Sequence, residues 1–125
     1  MPILMIPNFW AVGMHHWGAR HLHVGAGYYL KPEPNNPADK NAVAIVDESG
    51  VVKAYLKREN AFIMSRLLIM DISPLWMLKP KEDPCVLSRR LGPQQRCNVG
   101  CKISEENLVQ AKAFLIEQNI AVEIK

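Results

Sequence analysis

The sequence predicts a β-rich α+β fold: about six antiparallel strands wrapped into a small, partly open barrel, with two helices. Three observations point there. Short runs rich in β-branched and aromatic residues recur between turn signals, a clear hairpin sits in the first half, and only two segments switch to helical period. A length of 125 residues suits one domain over 1–125, and 49% apolar with 22% charged residues is ordinary for a soluble globular chain.

The apolar opening "MPILMIPNFWAVGM" has no basic leader region, is broken by Pro2 and Pro7, and is too short to span a bilayer. It reads as a buried strand, clearest over Phe9–Met14. "LHVGAGYYL", Leu22–Leu30, reads as a second strand, with Gly25 and Gly27 suggesting a bulge or bend. Next comes "EPNNPADKNAVAIV", a loop dense in proline and asparagine that turns without pause into a strand. Ala42–Val46 and Val51–Leu56 then flank "DESG", a hairpin in which Gly50 is free to take positive φ.

From Lys57 to Met70 the period changes. Ala61, Ile63 or Met64, Leu67 and Leu68 recur at helical spacing, so one helical face packs on the barrel. "ISPLWML" predicts a short strand around Pro74, Lys79–Pro93 a polar loop, and "CNVGCKI" another strand. Ser104 offers an N-cap, with Glu105 and Glu106 where the helix dipole favours acids. This second helix runs to about Gln118, burying Leu108, Ala111 and Leu115, and Asn119 supplies a left-handed stop. "IAVEIK" closes the chain as a strand with Ile120, Val122 and Ile124 on one face.

The chemistry-bearing residues exclude more than they assign. No nucleophile elbow, phosphate loop or H-E-x-x-H pattern is present, so no enzymatic activity and no cofactor are expected. His15, His16, His21 and His23 lack a nearby carboxylate, and in a strand His15 and His16 point to opposite faces, which argues against a metal site. Cys97 and Cys101 on one strand would lie about 13 Å apart, too far to share a metal or a disulfide. With Cys85 they read as reduced thiols of an intracellular protein.

The net charge of +3 permits an anionic partner without requiring one. Lys53, Lys57, Arg58 and Arg66 form one basic group; Lys79, Lys81, Arg89, Arg90, Arg96 and Lys102 form another. Tyr28, Tyr29, Tyr55 and Trp76 interleave with them, a composition that suits single-stranded nucleic acid, although on composition alone a solvated face is the more ordinary reading.

"KPEPNNPADKNAVAIV" followed by "DESGVVKAYLKRENA" resembles the HIRAN domain family, in which an "EP.N..D.NA" loop runs into a strand, then a hairpin, then a helix. The similarity is dense from Trp10 to about Leu68 and looser through "CNVGCKISEEN" to the end. It implies an OB-like barrel and a non-catalytic module that recognises DNA ends or damaged DNA. The best-known member, part of a DNA translocase at stalled replication forks, captures a free 3′ end of single-stranded DNA. Other members accompany helicase or nuclease domains, so a helicase, nuclease or other repair protein is the partner implied, with no membrane association.

Carried over residue by residue, the resemblance gives Asp39 the role of accepting a hydrogen bond from a terminal 3′-hydroxyl and repelling a 3′-phosphate. Tyr55 and Arg58 fall on the strand end and helix start that face phosphates, and Lys40 and Lys57 adjoin these positions. His15, His16 and Trp17 stand where an arginine–tyrosine pair ends the first strand of the end binder. Its stacking tyrosine is replaced by Ala38, and no aromatic lies between Leu91 and Arg96. A stacked aromatic is worth about 1–3 kcal/mol per base, part of which Trp17 or His16 could restore. From another class, the alternative is a protein-interaction module on the same barrel, docking a partner or a second copy through an edge strand or "ISPLWML".

Overall fold

The computed structural model describes residues 1–14, 21–73, 75–86 and 92–125. Eight strands and two helices follow in the order β1 (Ile3–Val12), β2 (Tyr28–Pro32), β3 (Val43–Val46), β4 (Val52–Leu56), α1 (Arg58–Ile69), β5 (Met77–Pro80), β6 (Cys85–Val86), β7 (Pro93–Lys102), α2 (Glu105–Glu117) and β8 (Glu123–Ile124). Six of the strands close an antiparallel ring, β1-β4-β3-β2-β5-β7 and back to β1, while β6 adds to β7 and β8 to β1. The closure is uneven. β1 pairs with β7 along nearly its whole length, but β1–β4 and β2–β5 are joined at only two residue pairs each.

β1 shows how sequence sets the curvature. Leu4 and Ile6 point inward, then Phe9 and Ala11 do, so the inward face changes from even to odd positions. The register explains this: between Ile6↔Val99 and Phe9↔Cys97 β1 advances three residues while β7 advances two. One extra residue at Pro7–Asn8 is a bulge, placed where proline has no N–H for the ladder. The bulge keeps both halves of a ten-residue strand facing one core. Val43, Ile45, Ala54, Leu56, Leu78 and Val99 fill the barrel around Phe9.

The hairpin forms as the sequence predicts, with Gly50 at φ +79° and Asp47 Oδ1 accepting from the Ser49 and Val51 N–H groups. α1 buries Ala61, Met64 and Leu67 against the barrel. α2 begins at the expected cap, Ser104 Oγ accepting from Asn107 N–H at 3.2 Å, and stops at Asn119 with φ +59°.

Four expectations change. The second strand starts only at Tyr28, because Leu22–Gly27 is held as a loop: Gly25 takes φ +82° and donates to Pro80 O. The strand expected around Pro74, which lies outside the described residues, forms later at Met77–Pro80. The loop expected over Lys79–Pro93 contains the end of β5 and all of β6, and β7 starts at Pro93 rather than at Cys97. At the C-terminus only Glu123–Ile124 pairs; Ile120 and Val122 pack on the core while Ile124 stays exposed.

Cys97 and Cys101 both face inward and are buried. Burial pushes the Cys97 thiol up to about 12, and burial raises Cys101 too, with the Ser73 hydroxyl partly offsetting it. Since the thiolate is the reactive form, a thiol reagent at pH 8 should titrate half-buried Cys85 quickly and the other two only after denaturation. Rapid reaction of all three thiols in the folded protein would contradict this packing.

Candidate nucleic-acid interface

Strand register gathers most of the sequence-predicted residues at one rim of the barrel. Val12, the end of β1, is opposite both Tyr55 and Gln94, while Tyr55 is also opposite Ala44 and Pro32 is opposite Val43. The ends of β1, β2 and β4 and the starts of β3 and β7 therefore meet there. The 33–42 loop bridges β2 to β3 at this rim, and α1 starts from it.

The loop is held mostly by its own polar groups. Asn36 Oδ1 accepts from the Ala38 and Asp39 N–H groups at 2.9 and 3.3 Å. Asp39 Oδ1 accepts from Asn41 N–H at 2.9 Å, and Glu33 N–H reaches Ala42 O at 2.9 Å. Prolines 34 and 37 fix φ between these bonds. Asp39 is thus a loop cap. A carboxylate has about four acceptor positions, so this one bond among the described residues leaves capacity for an incoming donor.

Tyr55 joins the loop to the barrel wall. Its hydroxyl donates to Glu33 Oε1 at 2.9 Å, and Asn36 Nδ2 donates to the same oxygen at 3.0 Å. Desolvation, with the hydrogen bond to Glu33 and its negative charge, raises the Tyr55 pKa. Glu33 was not singled out by the sequence reading; its place three residues before Asn36 was the available signal, since only a turn brings the two side chains together.

Lys57 and Arg58 start α1. Lys57 Nζ lies 3.4 Å from Gln94 Oε1 and 3.6 Å from Glu59 Oε1, whereas Arg58 is exposed and has no side-chain partner among the described residues. Among the described residues no side chain caps the first turn of α1, so its positive end carries no acceptor of that kind from them. Lys40 is exposed on the adjacent loop. Basic Lys31, Lys40, Lys57 and Arg58 share this rim with acidic Glu33, Asp39 and Glu59, a small cationic excess. His15, His16 and Trp17 lie outside the described residues.

The wider basic and aromatic groups separate. Lys53 pairs with Asp47 at 3.8 Å by the hairpin turn, Arg66 stacks 3.6 Å from the Phe62 ring centroid, and Arg96 pairs with Glu82 at 2.9 Å. Arg89 and Arg90 lie outside the described residues. Trp76 and Tyr28 are core residues, so neither presents a stacking face; Tyr29 and Tyr55 remain half-exposed. His21 and His23 are exposed and meet edge to face at 5.8 Å. Among the described residues no three His, Cys, Asp or Glu side chains converge as a metal site would need.

Two buried glutamines escaped the sequence reading. Gln95 Oε1 accepts from Leu22 N–H at 2.8 Å, while Nε2 donates to Leu22 O at 2.9 Å and Glu82 O at 3.0 Å. Gln94 Oε1 accepts from Lys57 Nζ at a long 3.4 Å, and Asn60 Oδ1 accepts from Trp10 N–H at 2.8 Å, fastening α1 to β1.

Comparison with known proteins agrees with this architecture. The HIRAN domain family model matches residues 8–106. The crystal structure of the HIRAN domain of human HLTF superposes with a TM-score of 0.75 at 16% identity, covering 97% of this chain and 96% of that one. The NMR structure of the HLTF HIRAN domain gives 0.66 at 17% identity, covering 94% and 89%. A Lactobacillus plantarum protein of known crystal structure gives 0.58 at 13% identity, covering 82% and 100%. No curated protein sequence matches significantly. At these identities the superpositions speak for the fold; with the family model spanning 8–106, the chain belongs to the HIRAN domain family.

Proposed function

We propose that the chain is a non-catalytic nucleic-acid-binding module that holds single-stranded DNA, and specifically its 3′-hydroxyl end, at the rim formed by the 33–42 loop and the start of α1. The observation that carries this reading is exposed Arg58 beside Lys57 at a helix start with no side-chain cap, on the same rim as Asp39. Helix N-termini and cations together attract phosphate oxygens. Lys40 adds charge from the loop. Tyr55, tied to Glu33, fixes the loop against the wall, which keeps Asp39 placed to accept from a 3′-hydroxyl. The setting that follows from the family is DNA repair or replication, beside a helicase, nuclease or other repair protein.

The test is a fluorescence-anisotropy titration with a short labelled single strand ending in a 3′-hydroxyl, against the same strand ending in a 3′-phosphate. The hydroxyl strand should bind at least about tenfold more tightly, because Asp39 repels the terminal phosphate. Asp39→Asn keeps an oxygen for the Asn41 N–H and removes the charge. It should erase most of that preference at nearly unchanged thermal stability. Asp39→Ala should in addition cost about 1 kcal/mol of stability through the lost cap. Binding indifferent to the terminus would leave a general single-strand binder, and no binding at micromolar protein would overturn the nucleic-acid reading.

A further inference from the structure

The barrel has a second surface feature, at the end opposite the DNA rim. A groove of about 660 Å³ opens where β1 begins and β7 ends, near the pairs Ile3↔Lys102 and Met77↔Gly100. Outward positions of a water-facing strand are ordinarily polar. Here they are Ile3, Met5 and Met77, joined by Leu75, with Ile3 39% and Leu75 50% exposed. The floor is bare backbone at Gly100, whose cross-strand neighbours are Met5 and Met77. Exposed Lys79 and Lys102 also line the groove, and neither ammonium has an ion-pair partner among the described residues. An apolar trough lined partly by methionine and edged by lysine is a seat for an acidic amphipathic helix.

The same chain carries such a helix. α2 buries Ala111 and Leu115, and its outer face should be polar throughout. Instead Val109 and Ile116 are 71% and 58% exposed, and Ala113 lies exposed between them. At about 100° per residue these three fall within roughly 60° of one another, a continuous ridge. Glu106 and Glu117 flank it on one side, Glu105 and Lys112 on the other. The ridge is apolar and net acidic where the groove is apolar and basic.

We propose that this face is a self-association surface: α2 of one copy seats its Val109–Ala113–Ile116 ridge in the Met5–Met77 groove of a second copy, and the exchange is reciprocal about a two-fold axis. Reciprocity makes each contact twice and closes the assembly at two chains. The interface lies at the far end of the ten-residue β1 from the 33–42 loop, so a dimer presents two free DNA rims. Lys79 and Lys102 meet Glu106 and Glu117 across it.

Sedimentation of the full chain over a concentration series should show a monomer–dimer equilibrium. Met77→Glu in the groove and Ile116→Glu on the exposed ridge should each weaken association at least about tenfold. The Ile116 position is on solvent-exposed helix, so that variant should fold even if the groove variant does not. A charge exchange tests the pairing itself. A chain with Lys79→Glu and Lys102→Glu, and a chain with Glu106→Lys and Glu117→Lys, should each be monomeric alone. Mixed, they should form a one-to-one dimer, because both contacts then join opposite charges. A wild-type chain that stays monomeric at every concentration, or a dimer that both ridge and groove substitutions leave intact, overturns the proposal.

Discussion

Neutralising Lys57 and Arg58 together, as Lys57→Gln with Arg58→Gln, is expected to lower affinity for single-stranded DNA by between about 30-fold and 150-fold at low salt. A hydrogen bond to a charged group is worth about 1.5–3 kcal/mol, and solvent screening at this exposed rim brings two of them to roughly 2–3 kcal/mol in all. The dependence of log affinity on log salt should also flatten, by about 1.4, since each single-strand phosphate contact contributes about 0.7. Folding should be little affected, because Arg58 has no side-chain partner among the described residues and Lys57 makes only the long contacts to Gln94 and Glu59. The control is the pair Lys53→Gln and Arg66→Gln, which removes the same formal charge. Lys53 pairs with Asp47 beside the hairpin turn, and Arg66 lies over Phe62 two turns along α1. The control should weaken binding less than about threefold. Equal losses from both double variants would mean that net charge, not this rim, holds the strand.

The contrast between these two pairs shows what the sequence could and could not convey. Lys53, Lys57, Arg58 and Arg66 form one group by spacing, but a strand and a helix carry them to different parts of the molecule. Local patterns translated well: the DESG hairpin, the α1 period, the Ser104 cap and the Asn119 stop all depend on neighbours within about five residues. Leu22–Gly27 looks apolar enough for a strand, yet Gln95, 73 residues away, takes both backbone groups of Leu22 and Pro80 takes the Gly25 N–H. Separation in sequence likewise hides Glu33 as the anchor of Tyr55, 22 residues on, and long-range packing buries Trp76 and Tyr28 instead of presenting them for stacking. The family was legible because its motif lies in one contiguous loop and hairpin. Of the rim residues, Asp39, Lys40, Tyr55, Lys57 and Arg58 do converge, through strand register that no single segment encodes.

Gln95→Leu is expected to destabilise the fold by about 3 kcal/mol, because each buried backbone group left without a partner costs about 1–3 kcal/mol. Gln95 is fully buried, and its amide satisfies both the N–H and the C=O of Leu22, itself buried. Leucine has a similar size but offers neither donor nor acceptor, so both groups lose their partner at once. Against a total stability of about 5–15 kcal/mol this is a large fraction, and the thermal midpoint should fall by about 10 °C. The companion variant Gln95→Glu separates hydrogen bonding from packing. Its carboxylate can still accept from Leu22 N–H, but it turns an acceptor toward Leu22 O and Glu82 O, where an amide donor stood. Burial and those two carbonyls favour the protonated acid, so its folded pKa is raised above that of an unfolded glutamate. The sign follows: stability is greatest below the unfolded value of about 4.3 and is lost as pH rises through the folded pKa. Thermal melts of Gln95→Glu across pH 4 to 8 should therefore approach wild type at the acidic end and fall below it near neutrality. Gln95→Leu should track wild type at a constant deficit. A Gln95→Glu variant as stable as wild type at every pH would show that the glutamine acts through its shape, with the loop before β2 held by other means.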